Sequence, residues 1–174
     1  ESQSRLWENN VGRSLAFWKY YFPKLDHYFP EQLKNVSAID FYKAINKIQP
    51  SFIRTEADEL TYHAHVQIRY QLEKEIISGN CSVKNIPSIW NEQYKQFLGV
   101  IVPDDKKGCL QDVHWSHGSF GYFPTYSLGS FYAAQFYATI QKELPNINEE
   151  IANGATKNLL NWLRNKVHKH GRMY

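Results

Sequence analysis

The chain has little cysteine, with only Cys81 and Cys109 among its 174 residues. Two cysteines are too few for a disulfide framework in a chain of this length. They are also too far apart in sequence to form the close thiolate pair of a structural zinc site. We therefore expect reduced thiols and a cytoplasmic protein.

Long apolar runs and a strong excess of one charge are missing as well. No stretch has the length of a membrane span, and the first residues lack a secretory pattern, so no membrane partner is expected. The net charge is only +3, with 20 basic and 17 acidic residues interspersed. A nucleic-acid-binding face needs a basic stripe, so nucleic acid is not an expected partner.

Hydrophobic residues are abundant, at 43% of the chain, and recur at three- and four-residue steps typical of helices. The pattern predicts an all-α fold in a single helical domain, residues 1–174. Val100 to Val102 could form a short strand. The predicted helices run from Leu6 to Phe22 before Pro23, from a capping box at Ser37 and Asp40 to Pro50, from about Ser51 to Ser78, from Ser88 to Gly99, from Pro124 to Leu144, and from Thr156 to about Lys169.

The segment from Gly108 to Tyr126 has no regular hydrophobic period, so packing in a core does not explain it well. It is typical of a polar-lined loop leading into a helix, and such loops often carry sites. Imidazole and phenol donors aimed at one point can stabilise a tetrahedral oxyanion. A structural loop whose polar groups only satisfy the backbone is an equally open interpretation. The polar side chains of the segment are Gln111, Asp112, His114, His117, Tyr122 and Tyr126.

Two pairings of charged or titratable groups follow from spacing. Asp112 could orient the imidazole of His114. Arg54 and Asp58 lie four residues apart in the predicted long helix and so share one face. An ordinary surface ion pair is the interpretation that this spacing favours. The functional alternative makes Arg54 a fork for an anionic group, because guanidinium binds carboxylate through two parallel hydrogen bonds.

Three runs of sequence stand out together: ESQSRLWEN at Glu1 to Asn9, IRTEAD at Ile53 to Asp58, and GCLQDVHW at Gly108 to Trp115. They resemble the H-E-S-Q (here without its histidine), I-R-x-x-A-D and G-x-x-Q-D-x-H-W signatures of the thermostable carboxypeptidase Taq family of metallocarboxypeptidases. The similarity continues, in the family's order and spacing, through HGSFGYFPTYSLG and the closing NWLRNKVHKHGRMY.

The resemblance implies the C-terminal catalytic half of a helical, gluzincin-like metallopeptidase, with long helices lining a deep cleft. It implies one catalytic Zn²⁺, or Co²⁺, peptide substrates with a free C-terminus, and a homodimer. Glu1 would be the third metal ligand, and Arg54 would hold the substrate's C-terminal carboxylate. The remaining carried-over roles are substrate binding for Asp58, Gln111 and Asp112, and contact with the peptide backbone and oxyanion for His114, His117, Tyr122 and Tyr126.

Several family motifs are absent from the 174 residues: H-E-x-x-H, with its general base and two metal-binding histidines, and D-x-R-x-T. We therefore expect part of a longer carboxypeptidase that alone neither binds catalytic zinc tightly nor hydrolyses peptides. The alternative is a non-catalytic helical domain that binds peptides or acts as a scaffold. The coding sequence upstream of Glu1 discriminates between them, since H-E-x-x-H there favours the enzyme and a start codon favours the scaffold.

Overall fold

A computed structural model of the chain describes residues 1–171 and 173. The described residues form α-helices, short 3₁₀ turns and one π-helical segment, and no strand occurs among them, Val100 to Val102 included. The predicted all-α class is therefore confirmed. Arg172 and Tyr174, two residues of the closing family run, lie outside the described residues.

Eight α-helices account for most of the ordered backbone that is described. They are α1 (Ser2–Arg5), α2 (Leu15–Tyr28), α3 (Ala38–Ile45), α4 (Tyr62–Ile77), α5 (Ile86–Leu98), α6 (Pro124–Glu143), α7 (Ile147–Ala152) and α8 (Lys157–Lys166). The π-helical segment covers Leu6–Gly12, and the 3₁₀ turns cover Arg54–Glu56, Val83–Asn85, Trp115–His117 and His168–His170.

The start of α3 is the best-defined of the predicted boundaries. The Asp40 carboxylate accepts hydrogen bonds from the Ser37 backbone N–H at 3.2 Å and the Ser37 hydroxyl at 2.6 Å. In return the Asp40 backbone N–H donates to the Ser37 hydroxyl oxygen at 3.1 Å. This reciprocal bonding is a capping box, as the sequence predicts. These bonds from Ser37 hold the pKa of Asp40 below its usual range.

The first predicted helix is wrong in two respects. It is interrupted at Ser14, whose backbone is extended and whose hydroxyl accepts a hydrogen bond from Phe17 N–H at 3.1 Å, so that Ser14 caps a new helix. It also continues past Pro23 to Tyr28. Proline removes one backbone hydrogen bond, but α2 packs along both α3 and α7, and this packing keeps the helix intact.

The predicted long helix from Ser51 is also wrong over its first third, because α4 begins only at Tyr62. Ile53 and Ala57 have extended backbones on either side of the Arg54–Glu56 turn. The carboxylate of Asp58 accepts hydrogen bonds from the backbone N–H groups of Leu60 and Thr61 at 3.0 and 2.9 Å. These bonds turn the chain into α4, so the α-helix begins only there.

The other boundaries differ by a few residues. α5 begins at Ile86, two residues before Ser88, and α6 ends at Glu143, one residue before Leu144. α7 has no counterpart among the predicted helices, and α8 ends at Lys166 before a 3₁₀ turn.

The chain divides into two compact units, one made of Glu1 with Asn46–Gly129 and the other of Ser2–Ile45 with Ser130–Tyr174. The second unit has one core, which includes Leu6, Ile140 and Leu163, each 0% exposed. The first unit has a core around Trp90 and Tyr94 and a smaller one around Tyr62 and Phe123. The smaller core lies next to the side chains that the family resemblance singles out.

Candidate active site

The carboxylate of Asp112 is bound by two arginines from different parts of the first unit. Arg54 donates to one carboxylate oxygen from Nε at 3.1 Å and from Nη2 at 2.7 Å, and Arg69 donates to the other oxygen from Nε at 2.6 Å. Burial alone would raise the pKa of Asp112, but the charge of Arg69 and the hydrogen bonds from Arg54 outweigh it and hold that pKa below its usual range. Asp112 is therefore an anion.

Arg54 belongs to this cluster and not to an ion pair with Asp58. Its guanidinium also donates from Nη1 to the Tyr62 hydroxyl at 2.7 Å and lies 4.7 Å from the centre of the Tyr126 ring. The predicted pairing with Asp58 is wrong because the two residues do not share a helix. Arg54 is only 5% exposed, and three of its five N–H groups have acceptors among the described residues.

The carboxylate of Asp58 accepts hydrogen bonds mainly from backbone N–H groups. Besides its two bonds to the backbone just before α4, it accepts hydrogen bonds from the Thr61 hydroxyl at 2.6 Å and from the Gln49 backbone N–H at 3.0 Å. Burial raises the pKa of Asp58, yet the bonds from Thr61, Gln49 and Leu60 together hold it below its usual range. Its carboxylate is thus occupied by groups of its own chain.

Gln111 joins the loop to two other segments, the stretch around Phe52 and Arg54 and the helix α4. Its side-chain oxygen accepts hydrogen bonds from Arg54 N–H at 2.9 Å and from Arg69 Nη2 at 2.8 Å. Its side-chain nitrogen donates to the carbonyl of Phe52 at 2.9 Å and to that of Gly108 at 3.1 Å. Gln111 therefore fixes the position of the loop.

His114 is oriented by Tyr126 and not by Asp112. Its Nε2 lies 2.8 Å from the Tyr126 hydroxyl oxygen, while both oxygens of Asp112 are taken up by arginines. The ring of His114 lies 4.3 Å from that of Phe123 between centres. The expectation that Asp112 orients this imidazole is wrong because Asp112 lies closer to stronger, permanently charged donors.

Burial keeps this His114–Tyr126 pair neutral. It lowers the pKa of His114, and Arg54 and His117 lower it further while Asp112 opposes them. Burial also raises the pKa of Tyr126, with Glu1 and Tyr122 adding to the effect and Arg54 opposing it. Near neutral pH both groups are therefore uncharged hydrogen-bonding groups.

The other predicted catalytic side chains gather around His114. The ring centres of His117 and Tyr122 lie 6.1 and 5.9 Å from that of His114. His117 is exposed, with its Nδ1 3.0 Å from the Ser119 hydroxyl, and Tyr122 is 43% exposed. Glu1 is exposed and lies near enough to Tyr126 for its charge to raise the pKa of that phenol.

The described residues do not supply a complete metal site. No group of three or more His, Cys, Asp or Glu side chains among them is arranged to hold a metal ion. A catalytic zinc needs three protein ligands, and Glu1 offers one carboxylate. The donor set in the described part of the chain therefore does not fit a zinc ion without further ligands.

Three buried side chains that were not among the predicted site residues bind the groups around the site. They are His65, Arg69 and Glu73. They are spaced by one helical turn on α4 and are between 0% and 3% exposed. Glu73 accepts hydrogen bonds from Trp115 Nε1 at 2.8 Å and from the Gly121 N–H at 3.1 Å. The sequence signal that could have indicated them is the four-residue spacing of these polar residues, which places them on one face of a helix that also has an apolar stripe.

His65 is completely buried and uncharged. Its Nδ1 lies 2.9 Å from the Tyr94 hydroxyl, and its Nε2 has no hydrogen-bond partner among the described residues. Burial, with the nearby charges of Arg69 and Arg54, lowers the pKa of His65 to about 3. His63, two residues earlier, faces elsewhere, with its Nδ1 2.9 Å from the Ser127 hydroxyl.

A cavity of about 350 Å³ lies beside the C-terminal half of α4. Tyr70, Glu73, Ile77 and Gly121 are among its lining residues, and none of the predicted site residues lines it. This cavity is therefore not the predicted cleft.

Among the described residues, none of the helices combines the length and the apolar character that a membrane span requires.

Comparison with known proteins shows what the chain is similar to. Carboxypeptidase 1 from Bacillus subtilis (strain 168) is 47% identical to the chain over 172 residues, which are 99% of this chain and 34% of that protein. A solved structure of a protein called CHT is 62% identical, with a TM-score of 0.93 over 99% of this chain and 35% of the other. The solved M32 carboxypeptidase from Deinococcus radiodurans R1 is 45% identical, with a TM-score of 0.93 and the same coverage.

The chain thus spans about a third of the length of the relatives it matches. The family described as carboxypeptidase Taq (M32) metallopeptidase matches residues 1–174 in full. The three motif runs, the helical class and the similarity to solved M32 carboxypeptidases agree with that match. The chain belongs to the carboxypeptidase Taq (M32) metallopeptidase family.

Proposed function

We propose that the complete gene product is a zinc-dependent carboxypeptidase that releases residues one at a time from the free C-terminus of peptides. In this proposal the chain supplies the wall that binds the peptide and the oxyanion. The observation that carries it is the neutral His114–Tyr126 pair, 2.8 Å apart, beside the Arg54–Asp112 cluster in a member of a metallopeptidase family.

In this proposal the Tyr126 hydroxyl stabilises the developing oxyanion, and His114, whose Nε2 contacts that hydroxyl and whose Nδ1 is buried, holds it in place. A donor serves that purpose when it stays protonated at working pH and needs no reorganisation during the reaction. The raised pKa of Tyr126 meets the first condition, and the hydrogen bond to His114 supports the second. Tyr122 and His117, more exposed, contact the peptide backbone as it enters.

Arg54 binds the C-terminal carboxylate of the peptide. One N–H on each of Nη1 and Nη2 has no acceptor among the described residues, and two such groups can bind a carboxylate together. Asp112 holds the guanidinium and Gln111 holds the backbone N–H of Arg54, while Asp58 fixes the start of α4 from which Tyr62 reaches Arg54.

The metal is proposed as zinc, with cobalt as the alternative, and Glu1 as one of its ligands. Because the described residues lack a complete ligand set, the proposal places the other ligands outside them. It follows that the 174 residues alone bind the metal weakly and do not hydrolyse peptides. A homodimer is proposed on the family resemblance, and a cytoplasmic location on the two free thiols.

Product analysis with metal removal tests this function. The complete gene product is incubated with an unblocked peptide of about ten residues, and products are read by mass spectrometry over time. We expect a ladder of products shortened from the C-terminus, loss of the ladder after chelation, and its return on adding Zn²⁺. Cleavage inside the peptide, or a ladder that survives full metal removal, would contradict the proposal. No cleavage by the metal-loaded protein would favour the scaffold alternative.

A further inference from the structure

Arg69 is inaccessible to a substrate. It is 0% exposed, and the centre of its guanidinium lies 4.5 Å from the Trp90 ring centre. It donates four hydrogen bonds, to Asp112, Gln111, the Tyr94 hydroxyl and the His65 carbonyl, at 2.6 to 3.2 Å. Four of its five N–H groups therefore have acceptors within the chain. Any effect of Arg69 on a bound peptide has to pass through the groups it holds.

Two of those groups are consecutive residues of the loop that carries His114. Residues 99–114 contain neither helix nor strand, and beyond a few backbone turn bonds, the last from Gln111 N–H to the Gly108 carbonyl, side-chain bonds hold the end of this loop. Arg69 binds both Gln111 and Asp112, and His114 follows Asp112 by two residues. The position of the His114 imidazole thus depends on where Arg69 holds its neighbours.

Arg69 and Arg54 both bind the carboxylate of Asp112, but they are not equivalent. Arg54 bonds to one carboxylate oxygen and Arg69 to the other, so both are needed to fix the plane of the carboxylate. Arg54 sits on a short 3₁₀ turn, whereas Arg69 sits in the middle of the sixteen-residue helix α4. The rigid reference for the loop is therefore Arg69.

We propose that Arg69 is a positioning residue for the reaction, which acts through Asp112 to place the imidazole of His114 and, with it, the Tyr126 hydroxyl to which that imidazole is bonded. The proposal rests on the proposed carboxypeptidase function. A displacement of a reacting group by about 1 Å is enough to lower a rate by about a hundredfold. Losing Arg69 should therefore lower kcat strongly and change KM much less, because Arg69 contacts no peptide and Arg54 keeps its own bonds to Asp112 and Gln111.

The test is a double-mutant cycle in the complete gene product, with kcat and KM measured per folded molecule on an unblocked peptide. The variants are Arg69→Met, His114→Asn and the combination. We expect each single variant to lower kcat by about a hundredfold and the combination to be hardly slower than His114→Asn alone, because both remove the same contribution. If the losses of kcat in the two single variants multiply in the double variant, the proposal is overturned.

A control separates positioning from general destabilisation. Leu72→Ala removes a fully buried side chain of the same helix that takes no part in the site. It should lower the midpoint of thermal unfolding and leave kcat per folded molecule unchanged. Arg69→Met behaving in the same way would make Arg69 merely structural and overturn the proposal.

Two further arms keep the outcome clear. If Arg69→Met does not fold, Arg69→Lys carries the test, because lysine keeps the charge but cannot bond Asp112 and Gln111 with a planar fork. It should show the same non-additivity with His114→Asn. An active wild-type protein with an unimpaired His114→Asn variant would refute the proposed role of His114, and this inference with it. Impaired His114→Asn beside unimpaired Arg69→Lys would overturn this inference alone.

Discussion

His114 and Tyr126 are hydrogen-bonded to each other, with Nε2 of the imidazole 2.8 Å from the phenol oxygen. The pair joins the polar loop to the first turn of α6. Both groups are neutral near pH 7, because burial lowers the pKa of the imidazole and raises that of the phenol. A neutral pair of this kind suits hydrogen-bond donation better than proton abstraction.

Changing Tyr126 to Phe should therefore lower kcat of the complete gene product by about 10²–10³-fold, the usual loss for one oxyanion donor. KM should change little, since the ring and its packing remain. Steady-state kinetics on an unblocked peptide measures both. Tyr70→Phe is the matched control, because Tyr70 is 41% exposed and lines a cavity that neither His114 nor Tyr126 lines. A kcat for Tyr126→Phe equal to that of this control would remove the phenol from the reaction.

Changing Asp112 to Asn should destabilise the protein by about 3–5 kcal/mol, because it leaves two buried guanidinium groups without their carboxylate. The midpoint of thermal or denaturant unfolding reports the loss. Asp105→Asn, at an exposed position in the same loop, should leave the midpoint as in the wild type. Equal midpoints for the two variants would show that the cluster is not held together by its charges.

His65 should make stability fall in mild acid. Its pKa in the folded chain is about 3, against 6.5 when unperturbed, so below pH 6.5 the unfolded chain takes up a proton that the folded chain refuses. The stability is thus complete above pH 6.5 and is lost as pH falls from there towards 3. The expected contribution to the slope approaches about 1.4 kcal/mol per pH unit.

His65→Asn should flatten this part of the stability profile, measured by denaturant unfolding at a series of pH values between 7 and 4. The exposed His27, changed to Asn, is the control and should leave the slope unaltered. A His65→Asn profile as steep as that of the wild type would mean that another group causes the acid loss.

Two glycines with the same backbone conformation should differ in their tolerance of alanine. Gly79 and Gly154 have φ of +77° and +76°, but a Cβ on Gly79 meets nothing within 4 Å, whereas one on Gly154 overlaps the Tyr20 ring. Gly79→Ala should cost about 1 kcal/mol for the left-handed conformation. Gly154→Ala should cost clearly more, measured by the unfolding midpoint. In a Tyr20→Ala background the excess should disappear, and its persistence would place the clash elsewhere.

The all-α class and several helix ends were predictable because they depend on local chemistry. The Ser37–Asp40 box and the start of α6 at Pro124 are set by residues within one turn of the boundary. The continuation of α2 past Pro23 was not predictable in this way. It depends on the packing of α2 against α3 and α7, which come later in the chain.

Which side chains lie together around His114 was predictable, but the hydrogen bonds and ion pairs among the residues nearby were not. His114, His117, Tyr122 and Tyr126 do gather, as the polar loop suggests. The error over Arg54 and Asp58 arose because four-residue spacing places side chains together only within a helix, and this segment is not helical. Arg69 was missed because its partners, Gln111 and Asp112, lie more than forty residues away.

The proposed preference for a free C-terminus tests the whole interpretation in one measurement. The complete gene product, loaded with zinc, is assayed on two peptides identical except that one ends in a carboxylate and the other in an amide. We expect kcat/KM to be at least about a hundredfold higher for the carboxylate, since a charge-assisted bond to Arg54 is lost with the amide. Equal kcat/KM for the two peptides would contradict a carboxypeptidase site built on this wall.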